Sequence, residues 1–244
     1  LIRWNKNRIP LIAYRARIGH LKFRENPAMY WSVRNPNIAA VAAVSTEVKR
    51  YLESFRMLPV RNVHVMHHGL NPEWIDRQAE QPFPLRKQLG IPGDALIVAS
   101  MATLRPVKRF EYIVHAAERL AEHPVHFVHI GEPRGWDTRV ADLPRVHFLG
   151  RQSQPIRILA AADVFAMTSH NEAFGRANLE AMACGKPAIG CRTQGAEDII
   201  RDQVDGLLVE PRNVESLAAA LARLIEDRAL ARKLGESAAQ RAER

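Results

Sequence analysis

Two glutamates, Glu172 and Glu180, lie eight positions apart in the segment 171–187, which reads NEAFGRANLEAMACGKP. Gly175 lies between them, and a glycine at the start of a helix lets an anion approach the free backbone N–H groups and the positive end of the helix dipole. A carboxylate can bind two vicinal hydroxyls, whereas helix N–H groups bind phosphate. The spacing therefore favours a ligand with hydroxyls at both ends and phosphate in the middle, such as a nucleotide sugar.

A simpler interpretation of the same segment stays open on spacing alone: Glu172 caps the helix and Glu180 is solvated. The helix is expected to end at Gly185 and Pro187, because glycine fits the position after the last turn and proline cannot continue a helix. It follows a short apolar run at 164–167. Such a run predicts a buried strand directly before the glutamates.

Short apolar runs alternate with helical patterns along the whole chain, which is typical of βαβ units and a parallel sheet. The expected class is therefore α/β. Polar or glycine-rich loops follow the strands, at the edge where open α/β sheets bind ligands. The predicted strands span residues 10–14, 38–44, 63–66, 96–100, 125–130, 146–149, 164–167, 188–191 and 206–209, and the predicted helices span 46–55, 110–122, 156–162, 196–200 and 214–226.

A polar segment at 71–92 interrupts this alternation and contains four prolines. Such a composition predicts a boundary between two domains. We therefore expect a first domain at 1–75 and a second domain at 76–244.

The composition is that of a globular protein. Hydrophobic residues make up 47% and charged residues 25% of the chain. No apolar run approaches the length of a transmembrane helix, about 18 residues or more. Only two cysteines occur, Cys184 and Cys191, and neither has metal-ligand spacing. A reduced, cytoplasmic protein is expected.

The net charge of +9 is concentrated in residues 1–61, which hold twelve basic and three acidic residues. The remainder has 35 − 12 = 23 basic and 26 − 3 = 23 acidic residues and is neutral. Because aromatic residues are interleaved with the basic ones, this block suits an anionic partner such as a membrane surface or a phosphorylated acceptor. A solvated basic face without a specific partner is the alternative. Nucleic acid is not expected, since the block has a strand–helix–strand pattern and no recognition motif.

The segment 171–187 resembles the E-x7-E motif of the retaining glycosyltransferases of family 4, which have the GT-B fold of two Rossmann-like domains. The similarity continues at Gln194–Glu197, at Asp205–Pro211 and back at Val146–Gly150. It covers nearly all of residues 92–235. This resemblance implies an enzyme that moves a hexose-type sugar from a nucleoside diphosphate sugar to an acceptor with retention of configuration.

The resemblance also implies roles for individual residues. Glu180 would bind the ribose hydroxyls of the donor nucleotide, and Glu172 would bind hydroxyls of the donor sugar. Gly150 and its neighbours would border the base. The backbone that approaches the sugar and the phosphates would be that of Phe174, Gly175 and Arg176.

Cations for the diphosphate are expected in the loop 103–109, TLRPVKR, directly after a predicted strand. The family has a lysine at the position of Lys108 and an arginine about five residues earlier, where this chain has Thr103. Arg105 is the nearest substitute for that arginine, and Thr103 itself is expected to contact the donor. The implied catalytic residues are therefore Lys108, Arg105 and Glu172, with no metal, because no Asp-x-Asp occurs in the chain, and with no cofactor.

Residues 1–75 resemble only the last part of the family's acceptor-side domain, so the first of the two Rossmann-like domains is expected to be incomplete here. The donor is expected to be UDP- or GDP-linked and the acceptor to be a cell-envelope glycan or a lipid. The enzyme would be cytoplasmic, at the inner face of the membrane if residues 1–61 bind an anionic surface. Two alternatives stay open: an inactive nucleotide-sugar-binding module and a GT-B nucleotide-sugar epimerase.

Overall fold

The computed structural model describes residues 11–16, 37–54, 62–134 and 143–243. These residues form two compact units. The first comprises the described residues up to Gly69 together with Glu172–Phe174, and the second comprises Leu70–Asn171 and the residues from Gly175 onward. Most of the basic block 1–61 lies outside the described residues.

The first unit contains a parallel sheet in the order β1-β2-β3, formed by β1 (Leu11–Arg15), β2 (Ile38–Ala43) and β3 (Val63–Val65). A single helix, α1 (Thr46–Glu53), follows β2 among the described residues. Ser45 caps this helix, since its Oγ accepts a hydrogen bond of 3.2 Å from the backbone N–H of Val48. A serine at this position satisfies one of the N–H groups that a helix start leaves without a partner.

The second unit contains a six-stranded parallel sheet in the order β6-β5-β4-β7-β8-β9. The chain starts in the middle with β4 and continues first to one side and then to the other. The order therefore reverses between β4 and β7, and ligands of open α/β sheets bind beyond the carboxyl ends of the strands at such a point. The strands are β4 (Leu96–Met101), β5 (Val125–Ile130), β6 (Val146–Phe148), β7 (Val164–Met167), β8 (Ala188–Cys191) and β9 (Gly206–Val209).

Eight helices accompany this sheet among the described residues. β4 is buried from Leu96 to Ala99, at no more than 1% exposure each. Such burial is expected for a parallel strand that is covered on both faces. The helices are α2 (Pro72–Ala79), α3 (Leu85–Leu89), α4 (Glu111–Arg119), α5 (Pro155–Ala161), α6 (Arg176–Ala183), α7 (Gln194–Glu197), α8 (Val214–Glu226) and α9 (Arg228–Ala242).

The nine predicted strands are all present, each to within one residue of the predicted bounds at either end. The α/β class with parallel sheets is confirmed. None of the described helices is long and apolar enough to cross a membrane.

The segment 71–92 is largely helical, which the sequence interpretation did not predict. Pro72 occupies the first turn of α2, where its missing N–H costs nothing. The Asn71 side chain accepts a 3.0 Å hydrogen bond from the backbone N–H of Trp74. Both α2 and α3 belong to the second unit. The assignment of 1–75 and 76–244 to an acceptor-side and a donor-side domain remains a prediction.

Candidate active site

The loop that follows β4 carries three of the predicted site residues. Leu104 is buried and anchors the loop, with Thr103 and the exposed Arg105 on either side of it. A 3-10 turn, Pro106–Lys108, then brings the half-buried Lys108 back toward the sheet. The sequence thus places a cation on a short turn at the carboxyl end of the central strand.

A hydrogen bond joins this turn to the loop after β7. The hydroxyl of Thr168 donates to the carbonyl oxygen of Lys108 over 2.9 Å, and Nε of Arg109 donates to Nδ1 of His170 over 3.2 Å. Burial, helped by the charges of Arg109 and Arg212, lowers the pKa of His170. Burial and the two positive charges disfavour the protonated ring. The neutral ring, whose Nδ1 can accept the hydrogen bond from Arg109, is therefore favoured. The two loops on either side of the switch point are therefore tied together.

His129, near the end of β5, fixes the beginning of the same loop. Its Nε2 donates to the carbonyl of Ala102 over 3.0 Å. Because a carbonyl can only accept, Nδ1 is the acceptor nitrogen of the neutral ring. It accepts from the Ser100 hydroxyl over 2.8 Å. Burial lowers the pKa of this histidine to about 4, so it is neutral at physiological pH and positions the loop that carries Thr103 and Lys108.

Gly131 lets the loops after β4 and β5 approach closely. Its φ is +142°, and a Cβ at this position would lie 1.9 Å from the carbonyl oxygen of Ala102. Its own N–H donates to the carbonyl of Gly150 over 2.9 Å. Only glycine fits here, for reasons of both conformation and space.

The helix that carries Glu180 begins without a side-chain cap. Gly175 has a left-handed conformation with φ 86°, and its carbonyl accepts from the N–H of Asn178 over 2.8 Å. A helix start of this kind presents backbone N–H groups and the positive dipole end to a ligand. The predicted anion site at the start of α6 is therefore compatible with the local geometry.

Glu180 lies one turn into α6 and pairs with Arg176, Nε to Oε1 at 2.9 Å. The glutamate side chain is only 13% exposed, whereas that of Arg176 is 60% exposed. Burial raises the pKa of the Glu180 carboxyl, and the neighbouring guanidinium opposes this shift. Glu180 is thus not a solvated helix residue, which was the simpler alternative for it.

A cleft of about 400 Å³, the carboxyl-edge cleft, lies at the carboxyl ends of β4, β5 and β6. Thr103 and Gly131 line it, together with Arg151 and Gln152, which directly follow Gly150. Gly150 has φ +65° and open space around it. A volume of this size is in the range of small-molecule sites.

Seven of the nine predicted site residues belong to the second unit: Thr103, Arg105, Lys108, Gly150, Gly175, Arg176 and Glu180. The other two, Glu172 and Phe174, group with the first unit. Within that unit the Phe174 ring lies 5.3 Å from the ring of His67 and 5.6 Å from that of His68, measured between centroids.

Sequence reasoning did not assign His129 or Gly131 to the site. His129 lies within the predicted strand 125–130, and Gly131 directly follows that strand. The available signal was weak: a polar residue at a buried strand position and a glycine two residues after it.

The second unit therefore offers cations and uncapped helix N–H groups for phosphate, and a half-buried carboxylate for hydroxyls. No group of three or more His, Cys, Asp or Glu side chains in the described ranges could hold a metal ion. Cys184 and Cys191 are free thiols.

Proteins of known structure share this fold. The structure of Anabaena HepE in complex with UDP and glucose superposes with a TM-score of 0.80 at 24% identity, covering 96% of this chain and 67% of that one. The structure of WaaG, a glycosyltransferase involved in lipopolysaccharide biosynthesis, superposes with a TM-score of 0.78 at 18% identity, covering 97% of this chain and 72% of that one. The predicted fold class, GT-B with parallel sheets, is confirmed.

The sequence pattern of the glycosyl transferases group 1 family matches residues 83–241, and the chain belongs to this family. It is 35% identical over 204 residues to the D-inositol 3-phosphate glycosyltransferase of Streptomyces bingchenggensis, covering 75% of this chain and 44% of that protein. It is 34% identical over 155 residues to the lipopolysaccharide core biosynthesis glycosyltransferase LpsE of Rhizobium meliloti, covering 62% of this chain and 46% of that protein. The chain thus spans about half the length of these curated relatives. The predicted enzyme class, a glycosyltransferase, is confirmed at the level of the family.

Proposed function

We propose that the second unit binds a nucleoside diphosphate sugar and that the protein transfers the sugar to a glycan or lipid-linked acceptor with retention of configuration. The observation that carries this proposal is the start of α6. The helix start at Gly175 has no side-chain cap and provides a site for an anion. The half-buried Glu180, one turn later, provides an acceptor for hydroxyls.

The cations that the reaction needs are supplied by the loop after β4. The carbonyl of Lys108 is fixed by Thr168, which holds the turn that carries the lysine against the loop after β7. As the bond to the sugar breaks, negative charge grows on the departing diphosphate, and Lys108 and Arg105 would stabilise it without a metal.

Donor contacts are assigned by the same logic. Glu180 accepts from the ribose hydroxyls, and the backbone at Gly175 and Arg176 approaches the phosphates. Thr103 lines the carboxyl-edge cleft, and Gly150 directly precedes its lining residue Arg151. The base would lie in this cleft. Glu172 and Phe174 would contact the sugar. HepE binds UDP and glucose, which supports a nucleotide-sugar donor, either UDP- or GDP-linked.

The acceptor and location are proposals drawn from charge and from relatives. LpsE acts in lipopolysaccharide core biosynthesis, which supports a cell-envelope acceptor. The basic block 1–61 would hold the enzyme at the inner, cytoplasmic face of an anionic membrane, since each basic residue near such a surface adds roughly 1 kcal/mol. Sedimentation with vesicles tests this: equal binding to neutral and anionic vesicles would exclude it.

Titration calorimetry with UDP, GDP and ADP tests the donor site on the chain itself. We expect one of them to bind and Glu180→Ala to weaken it by about 1–3 kcal/mol, the scale of a lost hydrogen bond to a charged group. Glu226→Ala, which removes an exposed glutamate of α8, is the matched control and is expected to bind like the parent. Equal affinity of the Glu180→Ala variant and the parent would refute the ribose assignment.

The same titration decides the role of metals. Because cationic side chains are proposed to hold the diphosphate, EDTA is expected to leave the affinity unchanged. Loss of binding with EDTA and its return with Mg²⁺ or Mn²⁺ would show that the site needs a divalent cation.

A further inference from the structure

A second cleft, the amino-edge cleft, lies at the opposite edge of the six-stranded sheet from the candidate active site. It has a volume of about 580 Å³. Its wall includes the amino ends of three strands: Leu96 is the first residue of β4, and Asp163 and Pro187 directly precede β7 and β8. One face of α9 completes the wall. No predicted site residue lines it.

Four cationic side chains from separate parts of the second unit converge on this cleft: Arg86 of α3, Lys186 of the turn after α6, and Arg228 and Arg232 of α9. The first turn of α9 also faces it, through Arg228 and Ala231. The carboxylate of Asp227 caps this helix start by accepting from the backbone N–H of Leu230 over 2.8 Å, so the positive charge of the cleft comes from the side chains.

Arg86 is occupied by the protein itself. Its guanidinium pairs with Asp163 at 2.9 Å and donates to the carbonyls of Pro92 and Ala95 at 2.8 and 2.7 Å. Arg228 makes one such bond, from Nη2 to the carbonyl of Asp94 at 3.1 Å. Arg86 is therefore structural, and the other three cations carry the charge of the cleft.

Lys186 is the most informative of them. Its side chain is half-buried, and within the part of the chain that the structure describes its ammonium group makes no hydrogen bond or ion pair. Burial lowers the pKa of this lysine, with Asp163 partly opposing the shift. A partly desolvated cation that makes no hydrogen bond or ion pair gains from an anion that enters the cleft.

Two carboxylates complete the lining once Asp163 is assigned to Arg86: Asp94 and Glu236. Lys186, Arg228 and Arg232 outnumber them by 3 − 2 = 1 positive charge. This balance disfavours a polyanion, which the carboxylates would repel. It fits a ligand with one phosphate for the cations and hydroxyls for the carboxylates.

We propose that the amino-edge cleft binds a small phosphorylated polyhydroxy compound of the sugar phosphate class, with its phosphate on Lys186 and Arg232 and its hydroxyls on Asp94 and Glu236. The volume of the cleft is within the range of small-molecule sites. The site is separate from that for the nucleotide, because α6 has Gly175 at its start and Lys186 beyond its end.

Calorimetric titration of the 244-residue chain with glucose 6-phosphate and with inorganic phosphate tests the site, in the presence of excess UDP to occupy any nucleotide site. We expect saturable binding of both, tighter for glucose 6-phosphate. Lys186→Met and Arg232→Gln are each expected to weaken it at least tenfold. Lys233→Met is the matched control. Lys233 is an exposed residue of α9 that does not line the cleft, so its substitution removes the same charge outside the cleft.

Absence of saturable binding to the parent chain would overturn the proposal. An equal loss of affinity in the Lys233→Met variant would also overturn it, because it would indicate general charge attraction. Thermal melting of each variant checks its folding, and the exposed Arg232 provides a substitution that leaves the core intact. Failure of the chain to bind UDP would count against the donor site and leave this result unaffected.

Discussion

The two edges of the six-stranded sheet are built from different groups. At the carboxyl edge the backbone forms much of the site: Gly131 lies against the carbonyl of Ala102, and Gly175 opens the start of α6. At the amino edge long side chains form the site, with Lys186 and Arg232 lining a larger cleft.

This difference follows from what each edge must do. A site that stabilises charge during a reaction needs groups held in fixed positions, which backbone and short hydrogen-bonded side chains provide. A site that only binds an anion tolerates flexible cations. Substitutions at the carboxyl edge are therefore expected to affect turnover, donor affinity or folding, and those at the amino edge to affect only the affinity for the phosphorylated ligand.

The largest effect is expected at Gly131. Gly131→Ala forces a Cβ against the Ala102 carbonyl and is expected to lower the free energy of unfolding by about 2–4 kcal/mol. Gly150→Ala is the matched control, because φ there is +65° but a Cβ meets nothing within 4 Å. Only conformational strain of about 1 kcal/mol is expected at that position. Urea denaturation measures the free energy of unfolding of both variants. Similar losses at the two glycines would show that the close approach does not constrain the loops.

A loss of similar size is expected in catalysis at Lys108. In the full-length protein Lys108→Ala is expected to lower kcat by about 10²-fold or more, with a smaller rise in the donor KM, because the lysine acts on charge that develops in the transition state. Arg105→Ala is expected to have a weaker effect of the same kind. Steady-state kinetics of both variants separates the two constants. An unchanged kcat with a raised KM in the Lys108→Ala enzyme would mean that this lysine only binds the donor.

The smallest effect concerns pH. The pKa of His129 is lowered from 6.5 to about 4 in the folded chain, so the unfolded chain binds the proton first as the pH falls. The stability from the neutral ring is present above the unfolded pKa and is lost as the pH falls toward the folded pKa. Between pH 7 and pH 5 this amounts to about 2 kcal/mol.

Urea denaturation of the parent and of His129→Leu at both pH values isolates this contribution. Other histidines and the carboxylates titrate in both proteins and cancel in the comparison. We expect a smaller loss of stability on acidification in the variant. An identical pH dependence would show that His129 does not couple protonation to the loop after β4.

Much of the fold and part of the candidate site could be predicted from the sequence. Buried parallel strands are continuous apolar runs, which made β4, β5 and β7 recognisable. The glutamates around Gly175 marked the start of α6. The helices at 72–79 and 85–89 were missed because four prolines in 71–92 suggested a linker, although Asn71 and Pro72 form a regular helix start.

The sequence by itself determined the order of the strands, the glycine and proline that end α6, and the residue types available for phosphate and hydroxyls. Local periodicity and turn chemistry carry this information within a few residues. Only the tertiary structure decided which distant groups meet: Thr168 with Lys108, His129 with Ala102, and Lys186 with the cations of α9. Such contacts depend on the strand order β6-β5-β4-β7-β8-β9, which places loops far apart in the chain side by side.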